Sequence, residues 1–107
     1  MIDKELIKNK IEDIQGYFTE LNPILKHASR EIIEDNLKIH TVERLFQLIV
    51  DTTIDINTHI IVCSDFVIPN DYQSTFIVLA KNKIIPMDFA LKIAPSVGLR
   101  NLGFFRK

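Results

Sequence analysis

The sequence predicts an all-α fold, an antiparallel bundle of about five helices in a single domain covering residues 1–107. Three observations predict it. Apolar residues recur at three- and four-residue steps along most of the chain, the spacing of helices buried on one face. The prolines fall between these runs at Pro23, Pro69 and Pro86, or interrupt the last of them at Pro95. The one stretch that resembles a strand, KIIP at residues 83–86, is too brief to find sheet partners in so helical a chain.

In the first helix Ile2, Leu6, Ile7, Ile11, Ile14, Phe18 and Leu21 form the inner stripe, Asp3 is the N-cap, and the run ends near Asn22 and Pro23. A second, shorter helix runs from Ile24 to Leu37, with Ile24, Leu25, Ala28, Ile32, Ile33 and Leu37 turned inward and His27 a partly buried structural residue beside them. The central helix runs from Thr41, its candidate N-cap, to Ser64 and holds no Gly or Pro. Its apolar face gathers Val42, Leu45, Phe46, Ile49, Val50, Ile56 and Ile60. After a turn at Pro69, Asn70 and Asp71, the last of these caps a fourth helix from Tyr72 to Asn82 with Phe76, Ile77, Leu79 and Ala80 inside. Pro86 opens a fifth helix with Met87, Ala90, Leu91, Ala94 and Val97 on one side, which Pro95 and Gly98 interrupt. The first and third helices, being the longest, supply most of the core.

The polar side of the central helix holds His40, Arg44, Gln47, Asp51, Asp55, Thr58 and His59. A plain solvated face would explain such a stripe, but such faces favour Lys and Glu, and neither occurs in it. Mixed Arg, Gln, Asp and His groups suit hydrogen bonding in a groove or an interface.

A chain of 107 residues that is 47% hydrophobic and 25% charged is an ordinary globular composition. With a formal net charge of −1, any nucleic-acid contact has to come from local basic groups. The single cysteine, Cys63, cannot form an internal disulfide and reads as buried filler in a reducing compartment. The N-terminus mixes charged and apolar residues from the start, so neither a signal peptide nor a membrane span is expected there, and a cytoplasmic protein is. No phosphate-binding loop, Cys/His metal spacing or Gly-x-Ser-x-Gly elbow occurs. Asp51, Asp55 and His59, at successive four-residue steps, could hold a metal on one helix face, but no Glu-x-x-His on another helix completes a set. No metal and no cofactor is expected. Arg100 and Asn101 near the C-terminus are explained on their own by the helix dipole and by the tendency of Asn to stop a helix.

Taken together, VERLFQLIVDTTIDINTH and VGLRN resemble the HepT-like toxin family, part of the HEPN group of small all-helical proteins. The resemblance covers nearly the whole chain. Val42, Glu43, Arg44, Gln47, Asp55 and His59 match the family's central helix, with Thr58 where Asn is usual. Arg100-Asn101 resembles the start of the family's Arg-Asn-x-x-x-His motif, which is often followed after one residue by Tyr. That motif implies a metal-independent ribonuclease site formed where two protomers of a homodimer meet. Its His serves as general acid or base at the ribose 2′-hydroxyl and its Arg stabilises charge on the phosphate. Arg100 and Asn101 are the implied catalytic residues, with Arg44, Gln47, Asp51, Asp55 and His59 as a supporting groove. The implied partner is a small nucleotidyltransferase antitoxin that adenylylates the Tyr, and the implied substrate is RNA.

The sequence departs from the motif after Leu102, where it reads GFFRK. Phe105 stands at the histidine position and Lys107 at the tyrosine position, and a phenyl ring neither takes nor gives a proton. A frameshifted or truncated gene product is one expectation for so abrupt a change. Reading the coding DNA in the other two frames after codon 102 tests it, and the absence of a His-x-Tyr continuation in both rejects it. The first functional reading is an incomplete ribonuclease toxin with little RNA cleavage. The second is a non-enzymatic helical dimer that holds a nucleotidyltransferase partner or a nucleotide.

Overall fold

The computed structural model describes residues 1–102, and side chains through residue 99. Among the described residues there are six helices and no strand: α1 Lys4–Leu25, α2 Ser29–Glu34, α3 Asn36–Cys63, α4 Gln73–Lys81, α5 Met87–Ile93 and α6 Ser96–Leu102. The all-α bundle is as expected, and the expected fifth helix is divided at Ala94 and Pro95 into α5 and α6.

The 28-residue α3 is the axis on which α1, α2, α4 and α6 pack. Helix α1 runs antiparallel to it. The Asp3 N–H meets His59, Lys10 meets Asp55, and Leu21 packs with Val42 and Leu45, so numbers rise along α1 as they fall along α3. The core lies in two clusters along α3. Leu21, Ile32, Ile39, Val42 and Leu45 join α1 and α2 to its N-terminal half. Val50, Ile54, Phe76, Ala80, Ala90, Ala94 and Val97 join α4, α5 and α6 to its C-terminal half.

Caps explain most of the boundaries. The Asp3 carboxylate accepts the Leu6 N–H at 3.0 Å, as its N-cap position requires. Helix α3 starts at Asn36 rather than at Thr41, because the Asp35 carboxylate accepts the N–H groups of Leu37 and Lys38 at 3.0 and 3.1 Å and leaves no break before residue 41. Thr41 is inside the helix, its hydroxyl donating to the Leu37 carbonyl at 2.7 Å. Helix α1 continues through Pro23 to Leu25, since burying Leu21 and half-burying Ile24 in the first cluster outweighs the one lost N–H. The expected second helix is therefore shortened to Ser29–Glu34, with only Ile32 buried in it, and His27 is exposed and pairs with Glu31 at 3.2 Å. Asp71 does cap α4, accepting the Ser74 N–H at 2.7 Å.

Two helices end in the same way. The N–H of Ile84 bonds the Leu79 carbonyl and that of Lys83 bonds the Ala80 carbonyl, which puts Lys83 in the left-handed region at φ 63°. Phe66 to Ile61 and Asp65 to Val62 repeat the pattern after α3, with Asp65 at φ 60°. These are Schellman closures built without the usual glycine, so composition alone gives no sign of them.

The buried faces differ in part from the expected ones. On α3, Ile54, Asn57 and Ile61 continue the buried line from Val50, while Ile56 and Ile60 are half-buried. On α1, Leu6, Ile11 and Phe18 are exposed, and Tyr17 and Ile24 join Leu21 against the core. On α5, Ala90 is buried whereas Met87 and Leu91 are exposed. The apolar arc of α1 takes in Leu6, Ile11, Phe18, Tyr17, Leu21 and Ile24 together, and its sequence does not itself say which flank of that arc the neighbouring helix covers.

The cap of α3 makes stability depend on pH. The Lys38 ammonium, followed by the Lys38 N–H, holds the Asp35 carboxyl below the usual carboxylate range, and Asp35 holds Lys38 above the usual lysine value. A carboxyl with a depressed folded pKa stabilises the fold fully above its unfolded value of about 4 and loses that contribution as pH falls through the folded value. For Lys38 the sign is reversed: its contribution is present below about pH 10 and lost as pH rises through its raised value. The expected result is a melting temperature that falls on acidification below about pH 4, with a shallower acid limb in Asp35→Asn. Thermal scans across pH measure it, and identical acid limbs in the two chains would remove Asp35 from the account.

Candidate functional site

The polar stripe of α3 leads into two adjoining grooves. The first, about 640 Å³, is lined on α3 by Asp51, Asp55, Thr58 and His59, on α1 by Leu6 and Lys10, and at its far side by Tyr72. The second, about 720 Å³, lies between the C-terminal part of α3, the loop from Ile68 to Gln73, and Val97 and Gly98 of α6. Thr58, Val62 and Tyr72 line both, so the two open on each other at Tyr72. Volumes of this size suit a small ligand or one nucleotide.

Within the first groove Lys10 Nζ lies 3.3 Å from Asp55 Oδ2, with side chains 32% and 58% exposed. Such a solvent-facing pair contributes little stability, but it fixes a cation and a carboxylate at the rim. His59 Nε2 accepts the backbone N–H of Asp3 at 2.9 Å. Cys63 Sγ lies beside the same ring, 3.7 Å from Nε2 and 3.8 Å from Nδ1. His59 therefore ties the start of α1 to the C-terminal half of α3. Cys63, expected as buried filler, is half-buried.

Of the residues expected to form the site, the structure brings Asp51, Asp55 and His59 together in one groove. Arg44 and Gln47 lie nearer the N-terminus of α3, Arg44 exposed and Gln47 half-buried. The backbones of Arg100 and Asn101 belong to α6, which packs on α3, one turn beyond the buried Val97. Their side chains, and all of Phe105 and Lys107, lie outside the described residues.

Four contributors were not singled out from the sequence. Lys10 looks like any solvent-facing lysine of an amphipathic helix. Asn57 and Thr75, 4% exposed each, form a buried pair in which Asn57 Nδ2 donates to Thr75 Oγ1 at 3.1 Å. Thr75 Oγ1 in turn donates to the Tyr72 carbonyl at 2.6 Å, which fixes the backbone of Tyr72, the fourth contributor, where the grooves meet. Thr75→Val keeps the shape but strands the Asn57 amide and leaves the Tyr72 carbonyl with only the Thr75 N–H at 3.1 Å. The expected loss is about 1–3 kcal/mol by urea unfolding. A change below about 0.5 kcal/mol would show that the buried amide finds another partner.

The profile of the family described as Ribonuclease HepT-like matches residues 7–103. A tRNA nuclease HepT from Aphanizomenon flos-aquae (strain 2012/KM1/D3) is 33% identical over 102 residues, which cover 94% of this chain and 68% of that protein. A solved structure described as a toxin-antitoxin with AMP-PNP superposes with a TM-score of 0.87 at 26% sequence identity, over 94% of this chain and 76% of that one. With the helical order, the α3 groove and the Arg-Asn end of α6 in place, the profile match over almost the whole chain shows that this protein belongs to the HepT-like ribonuclease family.

Proposed function

We propose that the chain is the ribonuclease-type component of a toxin–antitoxin pair: a cytoplasmic homodimer whose Arg100-Asn101 ends meet across the dimer interface and act on RNA without a metal. The observation that carries this reading is the likeness to a tRNA nuclease HepT over 94% of the chain. The structural likeness to a toxin-antitoxin with AMP-PNP supports a nucleotide-using antitoxin, a nucleotidyltransferase, as the partner.

Metal-independent RNA cleavage needs a group to take the proton from a ribose 2′-hydroxyl, one to protonate the leaving 5′-oxygen, and positive charge on the phosphate as it becomes five-coordinate. Arg100 supplies the charge and Asn101 a hydrogen bond that orients the phosphate. The supporting role falls to the carboxylates of Asp51 and Asp55, which line the first groove, with Arg44 and Gln47 further along α3. Phe105 supplies no proton-transfer group, so the native sequence is impaired at this step.

That same phenyl ring favours a second reading, a dimer that binds its nucleotidyltransferase partner or a nucleotide without chemistry. RNA cleavage in EDTA separates the two. Under the first reading Phe105→His restores cutting that depends on Arg100. Under the second no single substitution at residue 105 does.

A further inference from the structure

The second groove carries little of the charge that a phosphate site needs. Among the described residues that line it, Asp71 alone is charged, and it is an acid. The rest of its polar lining includes Thr58, Asn70 and Gln73, groups that exchange hydrogen bonds with the edges of a base. Its mouth is walled by Tyr72, 58% exposed and held at the backbone by the buried Asn57–Thr75 pair. Lys10 lines the adjoining groove, and the backbone of Arg100 follows Gly98 by two residues on α6. A neutral, planar, hydrogen-bonding group inside with phosphates to either side is the chemistry of an unpaired nucleotide.

We propose that the groove between α3, the loop from Ile68 to Gln73 and α6 is a subsite for one unpaired RNA base, with Tyr72 as its stacking surface. The proposal rests on the ribonuclease-type reading and adds the form of the substrate: single-stranded RNA at this position, because a base inside a duplex cannot leave its stack to reach the groove without unpairing. The Ser74 side chain, followed by the Ser74 N–H that the Asp71 carboxylate accepts at 2.7 Å, holds the Asp71 carboxyl below the usual carboxylate range, and the carboxylate presents an acceptor to an exocyclic amine. Adenine and cytosine, which carry that amine on the Watson–Crick edge, are therefore preferred over uracil.

Fluorescence anisotropy of the full chain with labelled oligo(A), oligo(U) and a short RNA duplex tests this. The expected result is tighter binding of oligo(A) than of either competitor, a loss of about fivefold or more for oligo(A) in Tyr72→Ala, and retention in Tyr72→Phe. Gly98→Leu is a second variant that does not disturb the loop. A Cβ at Gly98 meets nothing within 4 Å, so the new side chain extends into the groove, and single-strand binding falls while the melting temperature does not. If oligo(A) binds and both variants bind it as the native chain does, the subsite is wrong and the RNA reading stands. If Tyr72→Ala weakens single strand and duplex equally, Tyr72 is not a base-stacking surface and the subsite is again wrong. If the native chain binds no RNA of any form, the RNA reading fails and takes the subsite with it.

Discussion

Phe76→Ala is expected to remove about 3–5 kcal/mol of stability, the usual cost of deleting a buried phenyl ring. Phe76 is 3% exposed and sits in the cluster that joins α4, α5 and α6 to α3 through Val50, Ile54, Ala80, Ala90, Ala94 and Val97. Its buried neighbours are alanines and β-branched Val and Ile, short or stiff at χ1, so they refill the space poorly and most of the cavity persists. A domain of this size has about 5–15 kcal/mol in total, so the variant is expected to melt at least about 12 °C lower. Phe76→Leu, which keeps most of the volume, should cost less than half as much. Urea unfolding measures both, and a Phe76→Ala loss under about 1 kcal/mol would contradict the described packing of α4 on α3.

Phe105→His is expected to raise RNA cleavage by a factor of about 100 or more, the usual contribution of a positioned acid or base. Under the proposed ribonuclease-type reading, the sequence has the Arg-Asn pair but a phenyl ring at the motif's histidine position, so the step to be restored is proton transfer rather than charge stabilisation. The gain should show a pH optimum, since one protonation state of imidazole is active and its ordinary pKa is about 6.5. It should also vanish on adding Arg100→Ala, because proton transfer cannot replace charge neutralisation at the phosphate. A gain that survives Arg100→Ala would detach the activity from the family's site.

Much of the fold was legible because helices announce themselves through periodicity. The runs led by Leu6-Ile7, Val42-Leu45 and Phe76-Leu79 each became a helix, and Asp3 and Asp71 cap as their positions imply. Boundaries failed where two local signals competed. Thr41 and Asp35 are both good caps, and only the geometry of the chain entering α3 selects Asp35, whose carboxylate reaches two N–H groups. Pro23 predicts a stop, yet the helix passes it, because Leu21 and Ile24 are held by residues of α2 and α3 that no local reading includes.

The site was half legible for a related reason. Asp51, Asp55 and His59 share a face by their spacing on one helix, and they do line one groove. The other wall comes from Lys10 and Tyr72, 45 and 17 residues from Asp55 in sequence. Nothing local marks either residue. Asn57 is hidden in the same way: a polar residue on the buried line of α3 looks like an interruption of that line until Thr75 is brought against it by α4.

The measurement that tests the account most directly is cleavage of mixed RNA by the purified native chain in EDTA, beside Arg100→Ala and Phe105→His. EDTA silences metal-dependent contaminants. The account predicts a silent native chain, a silent Arg100→Ala and an active Phe105→His. A native chain that cuts RNA, with Arg100→Ala inactive, would contradict it and move the proton-transfer group to one of His27, His40 and His59.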